Sequence, residues 1–193
     1  MATRFTAMTW NVENLFPPGH QLSSRKVVLQ ADYDAKLDYL AQRVLEVAPD
    51  VLALQEVGSA GGGTARSLDD LQQKLQGLYP FKALSAHPDG RGIRVAFLSG
   101  LEILRARDII DLAPGELASV PNWYPRPQIA RMGRGALQIE VEPAAGLRIR
   151  LLTLHVKSKL ISYPRTGRGP RFAPKDEDER ATGAGRGLLR RPA

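Results

Sequence analysis

Residues 4–12 alternate between apolar and polar positions and are rich in strand formers, which predicts a first strand ending near Val12. Phe16–Gly19, with two prolines and a glycine, breaks it. From Ala35 to Ala48 the positions Leu37, Leu40, Ala41, Val44, Leu45 and Ala48 keep helical spacing along one face. Asp34 is placed to cap that helix and Pro49 to stop it. Val51–Val57 is a near-continuous apolar run, the mark of a strand covered on both faces. Strand, helix and strand in that order predict a crossover joining neighbouring parallel strands.

Further along, Ser67 is placed to cap a short helix carrying Leu68, Leu71 and Leu75, after the flexible loop 58–64. Phe81–Leu84, Arg94–Leu98 and Glu102–Ile110 read as strands of a meander. Residues 113–133 form a long irregular loop containing Trp123 and Tyr124. Gly135–Glu142 and Leu147–Val156 read as a hairpin around Pro143–Gly146. Beyond Lys159 the periodicity is lost, apart from the DEDER run at 176–180, and no internal repeat is present. The expected division is therefore an α/β domain over 1–160 and an Arg/Gly/Pro-rich, poorly ordered tail over 161–193.

Composition narrows the picture. A chain of 193 residues with 43% apolar residues suits one globular domain. The absence of cysteine excludes disulfides and thiolate metal sites. MATRFTAMTW lacks the layout of a secretory signal, and no apolar run reaches the ~18 residues of a membrane span, so a cytoplasmic protein is expected. The net charge of +7 favours polyanionic partners, nucleic acid or other phosphate esters. For the tail alone, a solvated, Arg-rich end is the plainer account of the charge.

Candidate chemistry sits at strand ends. TWNVENLF at 9–16 offers Asn11 and Glu13 on one strand face, and DVLALQEV at 50–57 offers Gln55 and Glu56. An amide and a carboxylate from adjacent strands make a pair of hard oxygen ligands, suited to Mg²⁺, which keeps several waters for its substrate phosphates. Asn is equally a turn residue, and a carboxylate at a strand end is equally a solvated one. In LLTLHVKSKL at 151–160, His155 ends an apolar strand and Lys157 follows on the same face, a pair able to contact phosphate oxygens, although taken alone a histidine at a sheet edge with one turn partner is the plainer reading. Arg134 could reach a phosphate with its planar fork, although Arg126 and Arg131 allow an ordinary basic loop. His20 and His87 lie in Pro/Gly loops and receive no role. Gly61–Gly63 lacks the spacing of a phosphate loop.

The order TWNVENLF, PDVLALQEV, GRGIRVAFLS, RGALQIEV, LLTLHVKSK resembles the first part of the endonuclease/exonuclease/phosphatase superfamily, the deoxyribonuclease I-like fold, over about residues 5–160. The resemblance implies a mixed-sheet α/β sandwich and phosphodiester or phosphomonoester hydrolysis with Mg²⁺ or Mn²⁺. It implies that Asn11 and Glu56 stand by the metal, that Glu13 occupies an often acidic position, and that His155 contacts phosphate. Arg94 departs from the pattern, where an acidic residue is frequent. The later Gly-Asp-x-Asn and Asp-His segments are absent from the sequence. The expectation is thus the N-terminal portion of such a hydrolase, incomplete at the C-terminus and weak or inactive by itself, with an uncovered sheet face open to self-association. The competing expectation is a non-catalytic basic fragment that binds nucleic acid through phosphates alone.

Overall fold

The computed structural model describes residues 4–23, 26–58, 66–113 and 131–156, together with Glu177. The chain divides into two compact units, Met1–Ile109 with Arg134–His155, and Ile110–Gly133 with Val156–Ala193. The described elements, in chain order, are β1 (Ala7–Leu15), β2 (Gln21–Ser23), β3 (Lys26–Val27), α1 (Gln30–Val47), β4 (Val51–Gly58) and α2 (Arg66–Lys74). They continue with β5 (Phe81–Leu84), β6 (Ile93–Ser99), β7 (Arg105–Asp111), β8 (Arg131–Ala144) and β9 (Leu147–Leu154).

β1, β4, β6 and β5 form one mixed sheet in that order, and β7, β8 and β9 form a second. β1 and β4 are parallel, as a strand–helix–strand unit requires, with Ala7 opposite Val51 and Asn11 opposite Gln55. β6 runs antiparallel to both β4 and β5. β7 does not continue that meander but joins the second sheet. β2 and β3 make a small separate hairpin.

The strand interiors follow from two-sided burial. One face of the first sheet carries Val12, Leu52, Leu54, Ala96 and Leu98, packed against Tyr33, Leu37, Leu40 and Val44 of α1 and Leu68 and Leu71 of α2. The opposite face carries Val51, Val95 and Phe97, packed against Leu137, Ile139 and Val141 of β8. All seven residues of β6 are buried, because this strand is covered by helices on one side and a sheet on the other. Side chains of this kind each contribute about 1.5–3 kcal/mol on full burial.

Three sequence expectations change. α1 starts at Gln30, not Ala35, without a side-chain cap. Asp34 lies within it and accepts from Gln30 Nε2 at 2.9 Å. The early turn is secured by tertiary contact: Tyr33 is 3% exposed, and its hydroxyl donates to Asp70 of α2 at 2.8 Å. Similarly, Ser67 lies inside α2 and donates its hydroxyl to the Gly58 carbonyl at 2.7 Å. The inner faces of β4 and β9 are not left bare, because the second sheet covers Val51 and the first covers Thr153. What β9 exposes is its outer face, with Leu152 at 54% and Leu154 at 41%. The loop residues Trp123, Tyr124 and Arg126, together with Gly61–Gly63, Lys157 and the DEDER run apart from Glu177, lie outside the described residues.

Candidate active site

The carboxyl ends of β1 and β4 are irregular. Between Asn11–Gln55 and Leu15–Val57 the register shifts. On the other side Gln55 pairs with Val95 and Val57 with Arg94, which leaves Glu56 as an extra, bulged residue. Glu13, Asn14 and Glu56 all take left-handed backbone angles, with φ of 51°, 57° and 65°. Such angles are uncommon for residues with a side chain and persist where surrounding contacts impose them. The bulge turns the Glu56 carboxylate out of the alternation of β4 and towards Asn11.

That carboxylate is held from three directions. Oε2 accepts the Asn14 amide at 2.8 Å, and Oε1 accepts Asn11 Nδ2 at 3.3 Å. His155 Nε2 stands 3.4 Å from Oε1, with both side chains only 15% exposed. Asn11 is itself oriented, since its Oδ1 accepts the Glu13 amide at 2.9 Å. Glu13 thus enters the site by its main chain, while its exposed carboxylate lies within electrostatic reach of Lys36. Behind this edge, Gln55 Nε2 bridges Thr9 Oγ1 at 3.0 Å and Thr153 Oγ1 at 2.8 Å, which ties the two sheets together beneath the site.

Arg134 closes the other side. Its Nε and Nη2 each stand 2.9 Å from Asp89 Oδ2. Its Nη1 lies 2.8 Å from Nδ1 and 3.0 Å from Nε2 of His155, a contact along one side of the imidazole ring. Asp89 is fixed in turn by the amides of Arg91 and Ile93, which reach Oδ1 at 2.9 and 3.0 Å. Burial raises the pKa of the Asp89 carboxyl, but these amides together with Arg134 and Arg91 outweigh it and hold the carboxyl below its ordinary range. Burial and the Arg134 guanidinium push the His155 imidazole below its ordinary value, against the opposing pull of Glu56 and Asp89. A neutral imidazole with its proton on Nε2 can accept from Arg134 at Nδ1, while Nε2 faces the Glu56 carboxylate at 3.4 Å without a hydrogen bond to it.

Asn11, Glu56, Arg134 and His155 therefore converge, and Glu13 adjoins them; Arg134 does so from within β8 (Arg131–Ala144) rather than from just before a strand that starts at Gly135. Lys157 falls outside the described residues. Asp89 and Lys36 belong to the same assembly but carry no sequence motif. The signals for them are slight: Asp89 precedes a glycine turn, and Lys36 flanks the apolar stripe of α1 beside Leu37 and Leu40. Arg94 is 8% exposed and donates Nη1 to the Ser85 carbonyl at 3.2 Å.

No group of three or more His, Asp or Glu side chains gathers among the described residues. The Asn11 amide and the Glu56 carboxylate nevertheless present hard oxygens with lone pairs to spare. An ion that takes one or two protein ligands and retains its waters fits that set.

A family model described as the endonuclease/exonuclease/phosphatase family matches residues 8–140. Among solved structures, an endonuclease/exonuclease/phosphatase from Beutenbergia cavernae DSM 12333 aligns at TM-score 0.51 and 17% identity, over 80% of this chain and 39% of that one. A truncated Caenorhabditis elegans TDP2 aligns at TM-score 0.50 and 24% identity, over 80% of this chain and 47% of that one. A family protein from Leptotrichia buccalis C-1013-b aligns at 0.48 and 19% identity, over 79% and 53% of the two chains. A search of curated protein sequences finds no significant match. The chain spans about half or less of the length of each of these solved structures. At these identities the first two structures establish the deoxyribonuclease I-like fold, and the family match over 8–140 establishes membership: the chain belongs to the endonuclease/exonuclease/phosphatase family.

Proposed function

We propose that this chain carries the phosphate-facing half of a metal-dependent phosphodiester hydrolase site. The family is one of nuclease- and phosphatase-type hydrolases whose members generally use divalent metals. The observation that carries the reading is the meeting of Glu56, Asn11, His155 and Arg134, drawn from β1, β4, β8 and the end of β9, with a strained bulge aiming the carboxylate.

In this reading Glu56 and Asn11 would hold Mg²⁺ or Mn²⁺, which supplies charge neutralisation at a phosphate oxygen. His155, neutral and proton-bearing at Nε2, donates a hydrogen bond to a non-bridging oxygen as negative charge builds there. Arg134 lends positive charge on the imidazole side while Asp89 fixes the direction of its fork. Donors of this kind are each worth about 10²–10³ in rate. The sequence contains no Gly-Asp-x-Asn or Asp-His segment to activate the attacking water. Turnover by this chain alone is accordingly slow, short by a general base commonly worth about 10²–10⁴.

The test pairs binding with turnover. Mg²⁺ or Mn²⁺ should raise the melting temperature, and Glu56→Ala should abolish the rise. A residual hydrolysis of a chromogenic phosphodiester should vanish in the same variant. No metal response in the parent protein would sink the metal assignment. The non-catalytic alternative, phosphate binding by general basic charge, fits the second sheet poorly. There Arg150 lies 2.8 Å from Glu140, and Arg148 lies 3.4 Å from both Glu140 and Glu142. Nucleic-acid binding that falls steeply with salt and ignores Glu56→Ala would favour that alternative.

A further inference from the structure

One peptide group links α1 to the Glu56 carboxylate. Lys36 reaches across from the helix and donates Nζ to the Glu13 carbonyl at 2.6 Å. That carbonyl and the Asn14 amide are the two ends of a single planar unit. The Asn14 amide is the group that donates to Glu56 Oε2 at 2.8 Å. The Lys36 ammonium, the Glu13–Asn14 peptide and the Glu56 carboxylate therefore form a continuous donor-to-acceptor chain.

The surrounding backbone shows why the link is needed. Glu13 and Asn14 both have positive φ, 51° and 57°, although neither is glycine. Left to itself, such a segment relaxes towards ordinary angles and turns its amide away. The first sheet does not hold it, because β1 and β4 are out of register between Asn11 and Leu15. The Asn11 side chain secures the amide of Glu13 at 2.9 Å, which leaves the next peptide to be fixed from its carbonyl end. A cation on the carbonyl also polarises the unit and strengthens the hydrogen bond made by its amide. Lys36 is partly buried, which disfavours its charged form, while Glu13 and Glu56 draw the other way.

We propose that Lys36 is a positioning residue for this site, acting through the Glu13–Asn14 peptide to fix the Glu56 carboxylate. Its consequence for catalysis rests on the hydrolase reading above, whereas the relay itself does not. The effect is that of an outer partner which orients a ligand rather than touching the substrate.

The experiment uses Lys36→Met, which keeps much of the aliphatic stem and removes the donor, and Lys36→Arg, which restores one. In metal-free protein, the Asn14 amide should exchange roughly tenfold faster in Lys36→Met than in the parent, the scale of losing one charge-assisted hydrogen bond. Its proton resonance should move upfield, and Lys36→Arg should recover both readings. Mn²⁺ added to the same proteins should bind roughly 10–100-fold more weakly to Lys36→Met, with recovery in Lys36→Arg. An Asn14 amide unchanged in exchange and shift by Lys36→Met would overturn the relay. A parent protein that ignores Mn²⁺ would remove the metal reading and leave the amide comparison to decide this one. Should Lys36→Met fail to fold, the Glu13 carbonyl carbon of the parent gives the answer. A downfield shift that disappears when Lys36 is deprotonated supports the link, and an ordinary shift refutes it.

Discussion

At the scale of single residues, the site depends on groups that fix other groups. Asp89 contacts no predicted ligand, yet it sets the direction of Arg134, which in turn lies along His155. The depressed Asp89 pKa has a defined pH consequence. Its folded value lies below the ordinary 3.8, so its contribution is present above that value and is lost as pH falls through the depressed one. Asp89→Asn should lower stability by about 1–3 kcal/mol at neutral pH, between the range of a surface pair and that of a buried one. The difference should shrink towards zero at acid pH, which melting curves between pH 2 and 7 would show; a pH-independent difference would disprove the assignment. The placement of Asn11, Glu56 and His155 was legible in the sequence because each stands where a strand pattern ends, whereas Arg134, expected just before a strand, falls inside β8. Lys36 and Asp89 were not legible, because their importance arises only from what the fold brings beside them.

At the scale of elements, β4 shows how closely the site edge is packed. Gly58 ends this strand beneath Phe16, and a Cβ placed on it would overlap the Phe16 ring. Phe16 is 2% exposed and stacks on His20 with centroids 3.7 Å apart, which leaves the ring little room to retreat. Gly58→Ala should therefore destabilise by about 1–3 kcal/mol through overpacking, seen as a lower midpoint in urea with an unchanged slope. A midpoint equal to the parent's would mean that the ring moves freely. The sequence predicts β4 and β6 closely, because two-sided burial leaves nearly continuous apolar runs, and β5 from its strand formers between turns. It misplaces the start of α1, since the first turn is secured by the Tyr33–Asp70 contact between helices rather than by a cap. It also assigns β7 to a meander, because the pattern of a strand does not reveal which sheet it joins.

At the scale of the whole molecule, the described core is a helix layer, a mixed sheet and a second sheet, with hydrophobic clusters on both faces of the first sheet. No helix among the described residues is long and apolar enough to cross a membrane. β9 lies at the edge of its sheet, and its outer face shows Leu152 and Leu154 at 54% and 41% exposure. Apolar side chains on an edge strand invite pairing with another chain. Concentration-dependent association in sedimentation velocity is expected for the parent, reduced in a Leu152→Lys, Leu154→Lys double variant. Equal association in both would place the contact elsewhere.

The tie between Gln55, Thr9 and Thr153 has a consequence in time. Asn11 and Glu56 leave the ribosome first, whereas Thr153 and His155 follow only about a hundred residues later. At roughly 5–20 residues per second, the nascent β1–β4 pair waits on the order of 10 s before the strand that covers it exists. During that interval Gln55 faces water instead of Thr153, which water tolerates far better than it would an apolar side chain, and Thr9 and Asn11 stay exposed in the folded chain as well. The threonine–glutamine bridge thus closes across a polar seam once β9 has been made.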